Sequence, residues 1–177
     1  RKPEIFFSLQ KIKRHWQVFE QTVKILQTKH ENLTFVLIEG ENVNINSNLD
    51  LIKVKESQYE AIGVADAAIV CSGTATLETS MLRCPMVVCY KLSWATWFFA
   101  KAMSKVKYLS LTNLIAEDEI VEELLQDKMN AKKLSQSITS LLNPKNKYEL
   151  LKKYDKLIMK LKNSENAYDS AAKYIYD

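Results

Sequence analysis

The stretch AAIVCSGTATLETSMLRCPMVVCYK, residues 67–91, constrains the fold of this chain more than any other segment. AAIVC is a wholly apolar run of strand length, as expected of a parallel strand covered on both faces, and PMVVCYK repeats that character. Between them Ser72-Gly73-Thr74 breaks the first run, and a helical pattern follows until Pro85. Strand, tight loop, helix and second strand make one β-α-β unit, the building block of doubly wound α/β sheets. The 177 residues contain only 3 glycines, and one of them stands in this loop among three hydroxyl residues and ahead of Glu78.

The remaining pattern extends that reading. From Ile5 the apolar residues Leu9, Ile12, Trp16, Phe19, Val23 and Leu26 recur at steps of four and three, which predicts one long amphipathic helix. With no strand ahead of that helix, the chain reads as a fragment that starts partway through a loop. LTFVLI (33–38) and LIKV (51–54) are strand candidates on either side of a polar loop, and ESQYEAIGVAD predicts a short helix. Beyond Asn113 the pattern predicts helices alone: EDEIVEELLQDKM, AKKLSQSITSLL closed by Asn143-Pro144, KYELLKKYDKLIMKLKN, and a last SENAYDSAAKYIYD. The expected division is an α/β unit over 1–142, followed by C-terminal helices over 143–177.

Composition narrows the function classes. Apolar content of 47% and charged content of 26% suit one soluble globular unit. A net charge of +4 is too small for a dedicated nucleic-acid binder, so no nucleic acid is expected as partner. Cys71, Cys84 and Cys89 are odd in number, lack CxxC spacing and lie in apolar runs, which suggests neither a disulfide framework nor a zinc site. His15 and His30 have no evident partners and receive no role. No apolar run has the length of a spanning helix, although LSWATWFFAKAMSKVKYLSL comes nearest. Its Trp94, Trp97, Phe98 and Phe99, with Lys91, Lys101, Lys105 and Lys107, suit either a membrane headgroup region or a packed core.

In an open α/β sheet, ligands bind beyond the carboxyl ends of the strands, where the following helix offers unpaired N–H groups and a positive dipole end. Ser72-Gly73-Thr74 falls at such a place. Glycine lets backbone turn sharply and approach a ligand, while Ser72, Thr74 and Thr76 add hydroxyl groups, so a diphosphate suits the loop. Glu78, one helical turn beyond Thr74, is placed to accept from a ribose diol. The bland alternative is a helix cap, which needs only one such hydroxyl. The spacing matches neither a Walker A loop nor GxGxxG.

SGTATLE, MLRCPMVVCYK, the aromatic WATWFFAK and VKYLSLTNLIAEDEIVEELLQ together resemble the C-terminal half of the lipid-A-disaccharide synthases. The resemblance runs from Arg1 to about Leu142. It implies the donor-binding half of a two-Rossmann-domain (GT-B) glycosyltransferase. Such an enzyme takes UDP-2,3-diacylglucosamine as donor and 2,3-diacylglucosamine 1-phosphate as acceptor, forms a β-1,6 linkage by inverting displacement and releases UDP. The general base is then expected on the acceptor half, outside this chain.

The resemblance also implies roles for single residues. Arg1 matches the arginine that closes the family's Gly-Ser-Arg loop and would contact phosphate. Ser72, Gly73, Thr74, Ala75 and Thr76 would hold the diphosphate, and Glu78 the ribose. Asn113, taken as a loop residue after YLSL, and Glu122 are further donor-site candidates, with Glu123 beside them on what reads as an exposed helix face. No metal and no cofactor are expected, since GT-B enzymes neutralise the leaving diphosphate with helix dipoles and basic groups. Peripheral attachment to the cytoplasmic face of the inner membrane is what such lipid substrates imply, and a homodimer with exchanged C-terminal helices is compatible with the family. Two other readings share the loop and glutamate or do without them. One is a different UDP-N-acetylglucosamine enzyme, of the peptidoglycan N-acetylglucosaminyltransferase or 2-epimerase kind, and the other a non-catalytic α/β interaction module.

Overall fold

The computed structural model describes residues 3–9, 15–39, 47–71, 74–91 and 107–176, with backbone alone at 6–9, 39 and 163–176. Arg1, Ser72, Gly73 and the aromatic stretch from Trp94 to Lys105 lie outside the described residues.

Strands β1 (Glu4–Leu9), β2 (Thr34–Glu39), β3 (Ile52–Val54), β4 (Ala67–Val70), β5 (Met86–Tyr90) and β6 (Glu123–Leu125) form one sheet in the order β3-β2-β1-β4-β5-β6. Every neighbouring pair is parallel. Ile5 stands at the centre, opposite Phe35 of β2 on one side and Ala67 of β4 on the other. The chain moves outward from β1 to β3, then returns to place β4 on the far side of β1. The order therefore reverses between β1 and β4, the switch point where doubly wound sheets open a crevice.

Alternation along the strands sends neighbours to opposite layers. Ile69, Val87 and Leu124 join Phe19, Val23 and Leu26 of α1 (Trp16–Lys29) and Leu134 and Ile138 of α5 (Ala131–Leu141). Ala68, Val70, Met86 and Val88 instead meet Ile62 of α2 (Gln58–Val64), Ala75 of α3 (Thr74–Met81) and Leu150 and Tyr154 of α6 (Pro144–Tyr176). All four residues of β4 are buried, as its uninterrupted apolar run requires. The carboxylate of Asp66 ties this layer together: it accepts from the Glu4 N–H at 3.1 Å and from Lys147 Nζ of α6 at 3.0 Å. Arg83 and Asp155 form a second ion pair between the end of α3 and α6.

Three expectations change. The helix predicted from Ile5 begins only at Trp16, because Glu4–Leu9 is the strand β1. The apolar residues Ile5, Phe6, Phe7 and Leu9 satisfy either period, and here the backbone edges of both β2 and β4 need a partner. The helix predicted for EDEIVEELLQDKM is instead the edge strand β6 followed by a 3₁₀ turn, Gln126–Lys128. Val121 and Leu124, which a helix would put on one face, enter different layers of the core. Lastly, the two helices predicted after Pro144 are one continuous helix of 33 residues. Pro144 occupies its first position, where the missing N–H costs nothing, and neither glycine nor proline occurs again before the helix ends.

Candidate functional site at the switch point

Helix α3 starts at Thr74, four residues beyond the end of β4, the strand beside the switch point. Its 8 residues bury Ala75, Thr76, Thr79 and Ser80. Thr74 and Glu78 are exposed and, four residues apart, share one face of the helix. The helix ends with Arg83 in the left-handed region at φ 58°, where the Arg83 and Cys84 N–H groups return to Ser80 and Thr79 carbonyls and aim the chain into β5. The end of α3 at the crevice is thus its first turn, which carries the N–H groups and the positive end of the helix dipole.

The predicted hydroxyls divide. Thr74 faces outward, but Thr76 is fully buried, and its Oγ1 lies 3.5 Å from the backbone N of Thr112, from which it accepts. Thr112 belongs to α4 (Leu111–Ala116), so Thr76 fastens α3 to α4. Glu78 sits 3.5 Å from the hydroxyl of Tyr59, a residue in the first turn of α2.

Asn113 is inside α4, not in a loop as expected, and is fully buried. Its Oδ1 accepts from the N–H groups of Ile120 and Val121 at 2.9 and 3.0 Å, and its Nδ2 donates to the Val121 carbonyl and to Glu123 Oε1 at 2.8 and 2.9 Å. Both ends of the amide are therefore occupied by the chain itself. Glu123 also accepts from the N–H groups of Leu109 and Ser110 and from the Ser110 hydroxyl, at 2.9, 3.0 and 2.8 Å. Ser110 caps α4, its Oγ accepting from the Asn113 N–H at 3.2 Å. Neither Glu122 nor Glu123 lies on a helix face. They stand at the start of β6 and point to opposite layers: Glu122 receives the Ser137 hydroxyl of α5 at 2.5 Å, away from α3. The sequence offers little sign of the hub at Glu123, since its partner groups come from backbone turns and from side chains 10 and 13 positions away.

The remaining polar groups play other parts. Cys71 Sγ and Cys89 Sγ approach to 3.0 Å between β4 and β5, and all three cysteines are free and buried. Burial, with a lesser contribution from Cys71, pushes the Cys89 thiol upward, and burial pushes Cys84 up to about 12. Neutral thiols of this kind pack as small apolar groups. The histidines do have partners. His30 Nε2 meets Thr139 Oγ1 at 3.3 Å, joining α1 to α5, and the carbonyl of the buried His15 accepts from Val18 and Phe19 N–H groups. Among the described residues, no group of three or more His, Cys, Asp or Glu could hold a metal ion, and no helix is long and apolar enough to cross a membrane.

Comparison with known proteins agrees with this architecture. The family described as lipid-A-disaccharide synthetase matches residues 1–175. A lipid-A-disaccharide synthase of Sulfurihydrogenibium sp. (strain YO3AOP1) is 33% identical over 158 residues, covering 89% of this chain and 41% of the relative. One from Blochmanniella pennsylvanica is 40% identical over 98 residues, 55% of this chain and 25% of that protein. The chain thus spans about two fifths or less of the length of these relatives. Among solved structures, the glycotransferase of kitacinnamycin superposes with a TM-score of 0.59 at 12% identity, over 95% of this chain and 43% of that one. The spinosyn rhamnosyltransferase SpnG, complexed with thymidine diphosphate, gives 0.55 at 11% identity, over 89% and 42%. Those likenesses establish the fold, a Rossmann-like layer of the kind found in GT-B proteins, and the sequence match establishes the lineage: the chain belongs to the lipid-A-disaccharide synthase family.

Proposed function

We propose that this chain is the donor-binding half of a hexosyltransferase that condenses UDP-2,3-diacylglucosamine with 2,3-diacylglucosamine 1-phosphate, giving a β-1,6-linked disaccharide and UDP. The observation that carries the reading is the placement of α3: a helix opening at the sheet's switch point with Thr74 and Glu78 on one exposed face. Residues 1–142 form the donor-binding unit, and the C-terminal segment 143–177 docks on it through Leu150, Tyr154 and Leu157.

The diphosphate rests on the N–H groups of the first turn of α3, at Thr74 and Ala75, with Ser72, Gly73 and Arg1 completing the cradle as the family motif suggests. Glu78 lies about 6 Å further along the helix axis, at a rise of about 1.5 Å per residue. That suits the reach from a phosphate across the C5′ methylene to a ribose diol. As the acceptor's 6-hydroxyl displaces UDP with inversion, negative charge grows on the departing diphosphate. Fixed N–H donors and the helix dipole stabilise that charge without reorganising. Thr76, Asn113 and Glu123 act one step back, holding the first turn of α3 against α4 and β6. Glu122, turned towards α5, takes no part. The general base belongs to the acceptor half. No metal or cofactor is required, the enzyme works at the cytoplasmic face of the inner membrane where its lipid substrates lie, and the family fold admits a homodimer.

The full-length protein carrying this chain, incubated with both acylated substrates in EDTA, is expected to release UDP and disaccharide in equal amounts. Turnover of UDP-N-acetylglucosamine with inertness towards the diacylated donor would contradict the reading.

A further inference from the structure

Tyr59 has no part in the proposed reaction, yet it is the residue whose side chain reaches Glu78. It lies in the first turn of α2, which follows the carboxyl end of β3, and the residue is 49% exposed. Across 19 residues of sequence its hydroxyl comes within 3.5 Å of Glu78 Oε1. Ile62 is the buried residue of α2, whereas Tyr59 is half exposed and brings its hydroxyl to Glu78 of α3. A glutamate on an exposed helix face samples several rotamers, and a carboxylate that must meet two hydroxyls gains from having one chosen beforehand.

We propose that Tyr59 is a positioning residue for the ribose of the donor nucleotide, its phenol holding one oxygen of Glu78 so that the other meets the 2′ and 3′ hydroxyls. The inference rests on the proposed placement of the nucleotide on α3. At 3.5 Å the phenol contact is loose, and it shortens as a bound diol draws the carboxylate into one rotamer. The pair makes the site selective for ribonucleotides: a nucleotide without the diol gives Glu78 nothing to meet, and the presence of Tyr59 then confers no advantage.

The test is a comparison of UDP and 2′,3′-dideoxy-UDP binding by calorimetry on wild type, Tyr59→Phe, Glu78→Ala and the double variant. Tyr59→Phe is expected to weaken UDP about fivefold, the size of one hydrogen bond, to leave dideoxy-UDP unchanged, and to add nothing to Glu78→Ala. The melting temperature should not move, because the hydroxyl is exposed. Equal weakening of both nucleotides, no weakening of either, or an additive loss in the double variant would overturn the proposal while leaving the α3 site standing. Failure of wild type to bind UDP, or to distinguish it from the dideoxy form, overturns the ribose role of Glu78 and this inference with it.

Discussion

Asn113 Nδ2 and Glu123 Oε1 meet at 2.9 Å, and around that bond the chain from Leu109 to Glu123 closes on itself. Four polar contacts of the Asn113 side chain and four acceptances by the Glu123 carboxylate fix α4 against β6, with their shared bond counted once in each set. Thr112, next to Asn113, in turn holds Thr76 in the first turn of α3. The edge of the sheet is thereby linked to the helix proposed to carry the diphosphate.

Asn113→Ala should consequently cost stability before it costs chemistry. It strands the Val121 N–H and carbonyl, each a desolvation loss of about 1–3 kcal/mol when buried, while the Ile120 N–H keeps the Asp118 carbonyl. A total near 3 kcal/mol corresponds to a fall in melting temperature of roughly 6–12 °C for a chain of this size. Thermal unfolding followed by circular dichroism measures it, and a fall below about 2 °C would show the bracket to be unimportant.

The central position of β1 is open to a direct check. Its backbone pairs with β2 on one side and with β4 on the other, so Glu4–Leu9 should exchange with deuterium as slowly as β4 does. Peptide-resolved exchange over 3–9 and 67–71 gives the comparison. Rapid exchange of the first peptide alone would return that segment to the helical or loop reading suggested by its apolar spacing.

Cys84 makes the alkaline behaviour predictable. Its ordinary value of 9.0 rises to about 12 in the folded chain, chiefly through burial. The folded state therefore keeps its proton where the unfolded state has lost it. Stability is complete below about pH 9 and declines as pH rises towards 12, by up to about 1.4 kcal/mol per pH unit. Urea unfolding between pH 8 and 10.5 should show a steeper decline for wild type than for Cys84→Ala. Equal slopes would mean that the thiol is reached by solvent.

The sequence made β4, α3 and β5 readable and left β1 and β6 obscure, for physical reasons. Ala67–Val70 and Met86–Val88 are covered on both faces, so their apolar runs admit one interpretation once Gly73 and Pro85 bound them. Glu4–Leu9 was ambiguous because Ile5 and Leu9 fit a helical step and a strand equally well. Glu123–Leu125 was hidden by the high helix propensity of glutamate and leucine, overridden by the open edge of β5. Thr74 and Glu78 were visible as a candidate pair because four residues in a helix is a fixed geometry. Tyr59 and Glu123 were not, since what gives them meaning is contact across 19 and up to 14 residues, which no local pattern records.

The most direct test of the account is calorimetric titration of the chain with UDP in the presence of EDTA, comparing wild type with Glu78→Ala. Removing a carboxylate that accepts from the ribose should weaken binding by about 10-fold or more, with the melting temperature unchanged because Glu78 is exposed. Equal affinity of the two proteins for UDP, or no uridine nucleotide bound by wild type even in the full-length protein, would contradict the placement of the donor on α3.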